Sequence, residues 1–524
     1  VTIVRSTEPK AAAASWPARS SRPDGSAAPP GRAHVAVVGG GISGLAAAWF
    51  LREALGDQVE ITVLEQRDEL GGDVRVSEVA GIPVDEGAES LLARRPEAVD
   101  LARAVGLGDE IVQPAQVSAG LWSAGEMHPL PPGTVMGVPA DPSSLAGLLT
   151  DDEVKQATER DRIGGPVPMP LTQDIAVGKL VAGRYGRALV DRLVEPLLGG
   201  VYAGHADELS LDATVPALGA AAREHATLAD AVQSVRQVTV GRTRQEPARG
   251  SADDGAAQNG GDNASTPAPP FAGIAGGVGR LPAAVAQASG AKIRTGVAVR
   301  ELRRSDGVWQ LLAGPVPATE IIEADAVVLA VPATAAARLL ADECAEAAAE
   351  LATVEAASMA VVTLAVPSAA FPRSPASSGF LVPPAEGRTI KAVTYSSVKW
   401  PWLAERAGDL VLLRASIGRH REAQELQRSD EELVEAVLRD LGDAVGLAGR
   451  PADVRVTRWG GALPQFAVGH LDRVARVRSA VSRLPGVAVC GAIYDGVGIA
   501  ACIGAARQAA ARLISTRRAE QPGT

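Results

Sequence analysis

The chain has 524 residues and a formal net charge of −10, with 51 Lys and Arg against 61 Asp and Glu, a balance that argues against nucleic acid as a partner. Hydrophobic residues at 46% and charged residues at 21% describe globular mass rather than a disordered chain, long enough for more than one domain. Cys344, Cys490 and Cys502 form no C-x-x-C pair and suit a reducing cytoplasm, and the six scattered histidines have no metal-ligand spacing.

Residues 1–33, rich in Ala, Ser, Pro and Arg, read as a disordered leader without the apolar core of a signal peptide. The stretch from His34 to Gln66 then sets the organisation of the chain. Val35-Ala36-Val37-Val38 is a continuous apolar run of the kind buried in a parallel strand. Gly39, Gly41 and Gly44 follow in G-x-G-x-x-G spacing, and Gly40, Ile42 and Ser43 fill the turn between them. An Ala/Leu-rich helix is expected to about Leu55, then a Gly56-Asp57 turn and a second strand, Val59 to Leu64. Glu65 closes that strand about 20 residues past the last glycine, where a ribose-binding carboxylate is expected, with Gln66 beside it. The three glycines in turn permit a tight turn, close approach of backbone to a pyrophosphate, and close packing of helix on strand. The helix N-terminus then meets phosphate with free N–H groups and its positive dipole end.

Leu70-Gly71-Gly72 forms a second glycine turn, and Val84 to Ser90 ends a short strand in another. The acids of that turn, Asp85, Glu86 and Glu89, are read as solvated turn residues. Residues 97–240 are mainly helical in pattern, broken by the Pro-rich segment His128 to Pro142. Residues 241–270 hold almost no large apolar side chain, cannot offset their ordering entropy, and are expected to be a disordered insertion. Ile293 to Leu302 and Val308 to Leu312 alternate like antiparallel strands, and Ala324 to Val331 reads as a buried strand halted by Pro332. Short strands recur from Met359 to about Ile417, and an amphipathic helix is expected over 430–446. Val487 to Gly491 is another buried strand ending in glycine. After Val497-Gly498-Ile499, a small-residue helix runs to about Ile514. No segment is apolar for long enough to span a membrane.

These motifs resemble the flavin-dependent amine oxidase superfamily. HPLPPGTVMGVP at 128–139, RYGRALVDRLVEPLLGGVYAGHADELSL at 184–211, GGVGRLP at 276–282 and RWGGALPQFAVGH at 458–470 are similar to its bacterial protoporphyrinogen/coproporphyrinogen oxidase family. The resemblance runs from about His34 to Ile514, with only 241–270 unmatched. It implies an α/β fold: a Rossmann-type FAD-binding domain in three pieces (34–96, 271–335 and 470–515), with an inserted α+β substrate sheet region over 336–469 and a mainly helical subdomain over 97–240. It also implies FAD. Gly39 to Gly44 would lie on the pyrophosphate, Glu65 and Gln66 at the ribose, and Gly71 and Gly72 in the second turn. Gly87, Ala88, Glu89 and Ser90 would lie near the flavin and Val299 beside the adenine, while Trp459, Gly491, Val497, Gly498 and Ile499 would complete the isoalloxazine end. The residue after Gly71-Gly72 is usually basic in the superfamily. Here it is Asp73.

The implied reaction oxidises a porphyrinogen by six electrons, two at a time, with O₂ as acceptor and H₂O₂ formed. The substrate's propionates call for cations, and Arg94 and Arg95 directly follow the Gly87–Ser90 turn. Two adjacent arginines and the composition of a GC-rich genome, as in actinobacterial members, favour coproporphyrinogen III over protoporphyrinogen IX. Another amine-oxidase-like activity is the further alternative. No general base is identified, no stable membrane insertion is expected, and the expected location is the cytoplasm.

Overall fold

The computed structural model describes residues 32–245 and 270–520. Most of the leader and of the 241–270 insertion lies outside the described residues. The helix Leu228–Gln245 does, however, run five residues into the stretch expected to be a loop.

A five-stranded parallel sheet lies at the centre, in the order Lys292–Arg294, Val59–Leu64, Ala33–Val38, Ala326–Leu329, Val487–Val489. Its strands are apolar on both faces because both faces are covered. Val35, Val37, Ile61, Val63 and Val328 point to a layer that includes the helices Ile42–Leu55, Arg280–Ser289 and Ile499–Glu520. Ala36, Val38, Leu64, Val327 and Leu329 point the other way. There they meet an antiparallel meander, Val299–Ser305, Val308–Ala313 and Glu320–Ala324, and the helices Ala333–Leu340, Ala345–Ala352 and His470–Ser482. The first helix is buried from Ile42 to Ala48 because it is wedged between the sheet and two other helices, and three consecutive alanines, Ala46 to Ala48, allow that closeness.

The second layer system is a seven-stranded sheet, ordered Asp453–Pro464, Ala356–Pro367, Leu410–Ile417, Ile390–Tyr395, Gly379–Leu381, Gly120–Ser123, Glu126–Pro129. Only the pairing of Gly379–Leu381 with Gly120–Ser123 is parallel. One face packs on the helix Asp430–Val445 through Val362, Leu364, Val393 and Leu413. The alternate residues, among them Thr394 and Arg414, therefore face the opposite side, toward the 85–90 turn. A separate helical core forms around Leu180, Val181, Leu193, Leu198 and Leu218.

Three details depart from the sequence reading. The Gly120–Pro129 hairpin lies inside the region read as mainly helical, yet it completes the edge of the seven-stranded sheet. Ile293 does not begin an antiparallel strand. The chain turns at Gly296, whose N–H donates to the Arg67 carbonyl, so Lys292–Arg294 belongs to the parallel sheet and the meander starts at Val299. A boundary at 335 would also cut the helix Ala333–Leu340, which packs with Ala345–Ala352 onto the central sheet rather than with the substrate sheet.

Candidate functional site

The site begins where the first strand ends. Gly39 turns the chain at φ +107, and a β-carbon there would lie 2.3 Å from the Ala330 carbonyl oxygen. One on Gly44 would lie 1.9 Å from the Gly39 carbonyl oxygen, so strand and helix pack backbone to backbone. Gly41 differs. Its nearest neighbour to an added β-carbon is the Gly72 α-carbon at 3.9 Å, so its side faces open space. Gly41 also caps the helix Ile42–Leu55 without any side-chain cap or first-turn acid, leaving the N–H groups of Ile42 and Ser43 for an anion.

The second glycine turn closes against the first. Gly71 N–H donates to the Gly40 carbonyl at 2.9 Å, and Gly41 and Gly71 form an isolated parallel bridge. Glu65 is buried at the end of the second strand. Its Oε2 accepts from Gly40 N–H at 2.6 Å and its Oε1 from Arg67 N–H at 2.8 Å, so each oxygen keeps a free lone pair for a hydroxyl donor. Gln66, next to it, is exposed. Val297 N–H donates to the Glu65 carbonyl at 2.8 Å, which carries the chain past the acid to the buried Val299.

The 85–90 turn corrects the solvated reading of its acids. Asp85 and Glu86 are buried, and Glu89 is nearly so at 10% side-chain exposure. Asp85 accepts from Val278 N–H at 3.1 Å and Gly279 N–H at 2.8 Å, and loss of water pushes its carboxyl up to about 6. Glu86 takes Arg75 at 2.9 Å and Arg455 at 2.7 Å. Glu89 sits between Lys399 at 3.3 Å and Arg414 at 3.7 Å. Burial is the largest single influence and raises its carboxyl, but the combined pull of Lys399, Arg414 and the hydrogen bonds from Ser396 and Lys399 holds it below the usual range. Ser90 accepts from Lys399 Nζ at 2.7 Å, and Ala88 N–H donates to the Asp73 carbonyl at 3.2 Å. A β-carbon on Gly87 would meet that same carbonyl at 2.0 Å and Trp459 at 3.3 Å. Trp459 is pinned by its Nε1 donating to the Glu86 carbonyl at 3.2 Å, with the Arg75 guanidinium 4.8 Å from its ring centre.

At the far end, Gly491 and Gly498 have nothing of the protein within 4 Å of an added β-carbon. Val497 is half-buried and Ile499 buried as the first residue of the helix Ile499–Glu520, whose first turn holds no acid. Cys490 and Cys502 are buried beneath this end, and burial pushes both thiols up, Cys502 to about 11. Buried His470 holds the turn through the Ile493 carbonyl at 2.9 Å and stacks on Phe466 at 4.2 Å. Burial pulls its imidazole down to about 4.

Glycines packed against their own chain thus define the turns. Gly41, Gly491 and Gly498 leave open sides next to two helix N-termini without first-turn acids and a buried carboxylate. That donor set fits a dinucleotide's diphosphate and ribose, with Trp459 and the 87–90 turn at the other end.

The model for flavin containing amine oxidoreductases matches residues 42–514. This chain belongs to that family. A coproporphyrinogen III oxidase of Mycobacterium tuberculosis is 38% identical over 489 residues, covering 92% of this chain and 98% of the relative. One of Bacillus subtilis is 29% identical, with 90% and 96% covered. A crystal structure of a putative protoporphyrinogen oxidase from an Exiguobacterium species superposes with a TM-score of 0.77 at 30% identity, covering 93% of this chain and 99% of that one. As an amine oxidoreductase of this family the chain is a flavoprotein oxidoreductase with FAD as cofactor, on a Rossmann-type α/β fold with a substrate domain.

Arg94 and Arg95 are both exposed at the start of the helix Pro96–Ala104, and Arg95 Nε lies 3.7 Å from Glu97. Sequence reasoning missed Lys399, Arg414 and Arg455, and the pairing of Arg75 with Glu86. The first three arrive from elements more than 300 residues away from the turn they pair with, and no local spacing announces them. The run of three acids in a five-residue turn was the available signal, since buried acids require cations.

Proposed function

We propose that this chain oxidises coproporphyrinogen III to coproporphyrin III, removing six electrons and six protons, with three O₂ reduced to three H₂O₂. The observation that supports it most is the 38% identity across 98% of a coproporphyrinogen III oxidase. The glycine cradle and buried turn described above supply the cofactor side. FAD, when bound, supplies a two-electron acceptor, which sets three cycles per substrate.

The chain's own residues would act by positioning. The N–H groups of Ile42 and Ser43 hold the diphosphate, Glu65 takes ribose hydroxyls, and Val299 lies toward the adenine. Trp459, Gly87 to Ser90 and Val497 to Ile499 wall the reacting end and exclude water. Glu89 is kept ionised by Lys399 and Arg414, which fixes the 87–90 turn rather than offering a base. No side chain is assigned as general base. Arg94 and Arg95 remain the candidates for propionates at the rim. Among the described residues no helix is long and apolar enough to cross a membrane. A soluble cytoplasmic enzyme that takes a small tetrapyrrole is the reading proposed.

Protoporphyrinogen IX is the second substrate reading, favoured by the Exiguobacterium neighbour's description. The test is anaerobic preparation of both porphyrinogens and porphyrin fluorescence after air is admitted to FAD-loaded protein. Coproporphyrinogen III is expected to give the higher kcat/KM, because a site built for four propionates loses paired contacts with two. Arg95→Ala should raise its KM about fivefold with FAD content unchanged, a modest effect because the side chain is 47% exposed. Equal or better turnover of protoporphyrinogen would reverse the substrate choice. Turnover of neither, in protein carrying FAD, would point to another amine-oxidase-like activity.

A further inference from the structure

The cradle contains one group that its chemistry does not call for. Asp73 directly follows Gly72, whose own added β-carbon would meet the Gly41 α-carbon at 3.4 Å, so Asp73 stands at the edge of the diphosphate position. Its backbone carbonyl is fully engaged with the 87–88 turn, which fixes the residue in place. The side chain is accessible, yet protein surrounds it closely enough that loss of water raises its carboxyl above the ordinary range, outweighing the pull of Arg67 and Arg75. Asp73 therefore lies between the Gly41–Gly72 contact and the 87–88 turn.

The neighbouring charges leave this carboxylate without a partner of its own. Arg75 is taken by Glu69 and Glu86, and Glu86 also binds Arg455. Arg67 reaches the Gly72 carbonyl instead, at 3.5 Å. Glu65 is committed to backbone donors, Asp495 to Arg478, and Cys502 is a buried thiol. None of them neutralises Asp73.

We propose that Asp73 sets the affinity of this chain for its dinucleotide by opposing the diphosphate charge, so that each FAD bound brings one proton onto Asp73. The proposal rests on FAD occupying the glycine cradle. Ionised Asp73 repels a diphosphate dianion held beside Gly41 and Gly72, whereas protonated Asp73 does not. Binding then raises the proton affinity of Asp73 further. By linkage, FAD is held more weakly as pH rises above the free-protein value, by up to about tenfold per pH unit, until the bound form also ionises.

The experiment follows release of FAD from the holoprotein. Flavin fluorescence after dilution, and flavin retained on dialysis against known free FAD, give Kd from about pH 4 to pH 8.5, a range that starts at the ordinary carboxylate value. Wild type should weaken progressively with pH. Asp73→Asn should be nearly flat and tighter at the alkaline end, and Asp73→Lys tighter still. Melting temperatures of the apoproteins check folding, and the Lys variant keeps the test informative should the Asn variant fold poorly. A flat wild-type profile, or the same slope in wild type and Asp73→Asn, would overturn the proposal. So would looser FAD in Asp73→Asn at every pH, which would mean that the carboxylate accepts from a cofactor hydroxyl. Wild type that binds no FAD at any pH would instead defeat the cradle assignment beneath it.

Discussion

Gly41 and Gly44 sit three residues apart and are predicted to fail in different ways. Gly44→Ala drives a methyl into the Gly39 carbonyl, so it damages the fold itself. Gly41 has φ −74 and ψ 174, an extended conformation open to any residue, and its side faces the cradle. Gly41→Val should therefore leave the apoprotein's melting temperature within a few degrees of wild type while removing flavin absorbance. FAD retained in stoichiometric amount by that variant would show that the diphosphate lies elsewhere. Asp85 is a second residue whose surroundings set its behaviour. Its carboxyl, raised to about 6 from 3.8, contributes stability that is complete below pH 3.8 and is lost as pH rises through 6. The amount is up to about 3 kcal/mol for a group this buried. Asp85→Asn removes the titration and keeps an acceptor for one of the two N–H donors, since Val278 and Gly279 bond to different oxygens, so its stability is lower at every pH. Its melting temperature should lose the decline that wild type shows between about pH 4 and pH 7. Parallel profiles for the two proteins would mean that those N–H donors satisfy the ionised form.

At the scale of elements, the helical core turns on one ion pair. Arg184 and Asp161 are both almost fully buried, with Nε to Oδ1 at 2.6 Å. Arg184 also reaches the carbonyls of Gly164, Asp161 and Ala226, while Asp161 caps the helix Leu228–Gln245 through Leu228 and Ala229 N–H. Asp161→Ala strands a buried guanidinium and uncaps a helix, so a loss of about 3–5 kcal/mol is expected in denaturant melts. A loss under about 1 kcal/mol would show that the backbone carbonyls alone satisfy Arg184. Nothing in the sequence marks this pair, because its members lie 23 residues apart on different helices and charged helical residues normally face water. The strand–glycine–helix–strand unit was readable because period, turn chemistry and terminal acid all agree within some thirty residues. The helix Asp430–Val445 was readable for the same reason, with Ser429 and Glu432 forming a capping box before an amphipathic run. The hairpin Gly120–Pro129 and the cations around Glu89 were not, since their places depend on strands that pair across hundreds of residues. Local pattern carries no register information over such distances.

At the scale of the molecule, the cofactor unit is a single core made from distant parts of the chain. Strands at 33–38, 59–64, 292–294, 326–329 and 487–489 share one sheet, and the two long insertions leave from its loops. The last strand and helix are structural members rather than a tail. Val487–Val489 covers the edge of Ala326–Leu329, and Ile503, Ala506 and Ala510 of the final helix are buried in the core that holds Leu45, Ala48 and Leu51. Truncation after Leu484 would expose that apolar face and delete Gly491, Gly498 and the N-terminus of the helix Ile499–Glu520. The truncated chain is expected to be insoluble or free of flavin, although every residue of the N-terminal glycine motif is intact. Truncation after Ser515 passes beyond Leu513 and Ile514, which pack on the core, and should leave FAD bound. Flavin content and solubility of the two truncations decide it. A soluble, flavin-loaded protein ending at Leu484 would show that the N-terminal strand–helix unit carries the cofactor without the chain's other end.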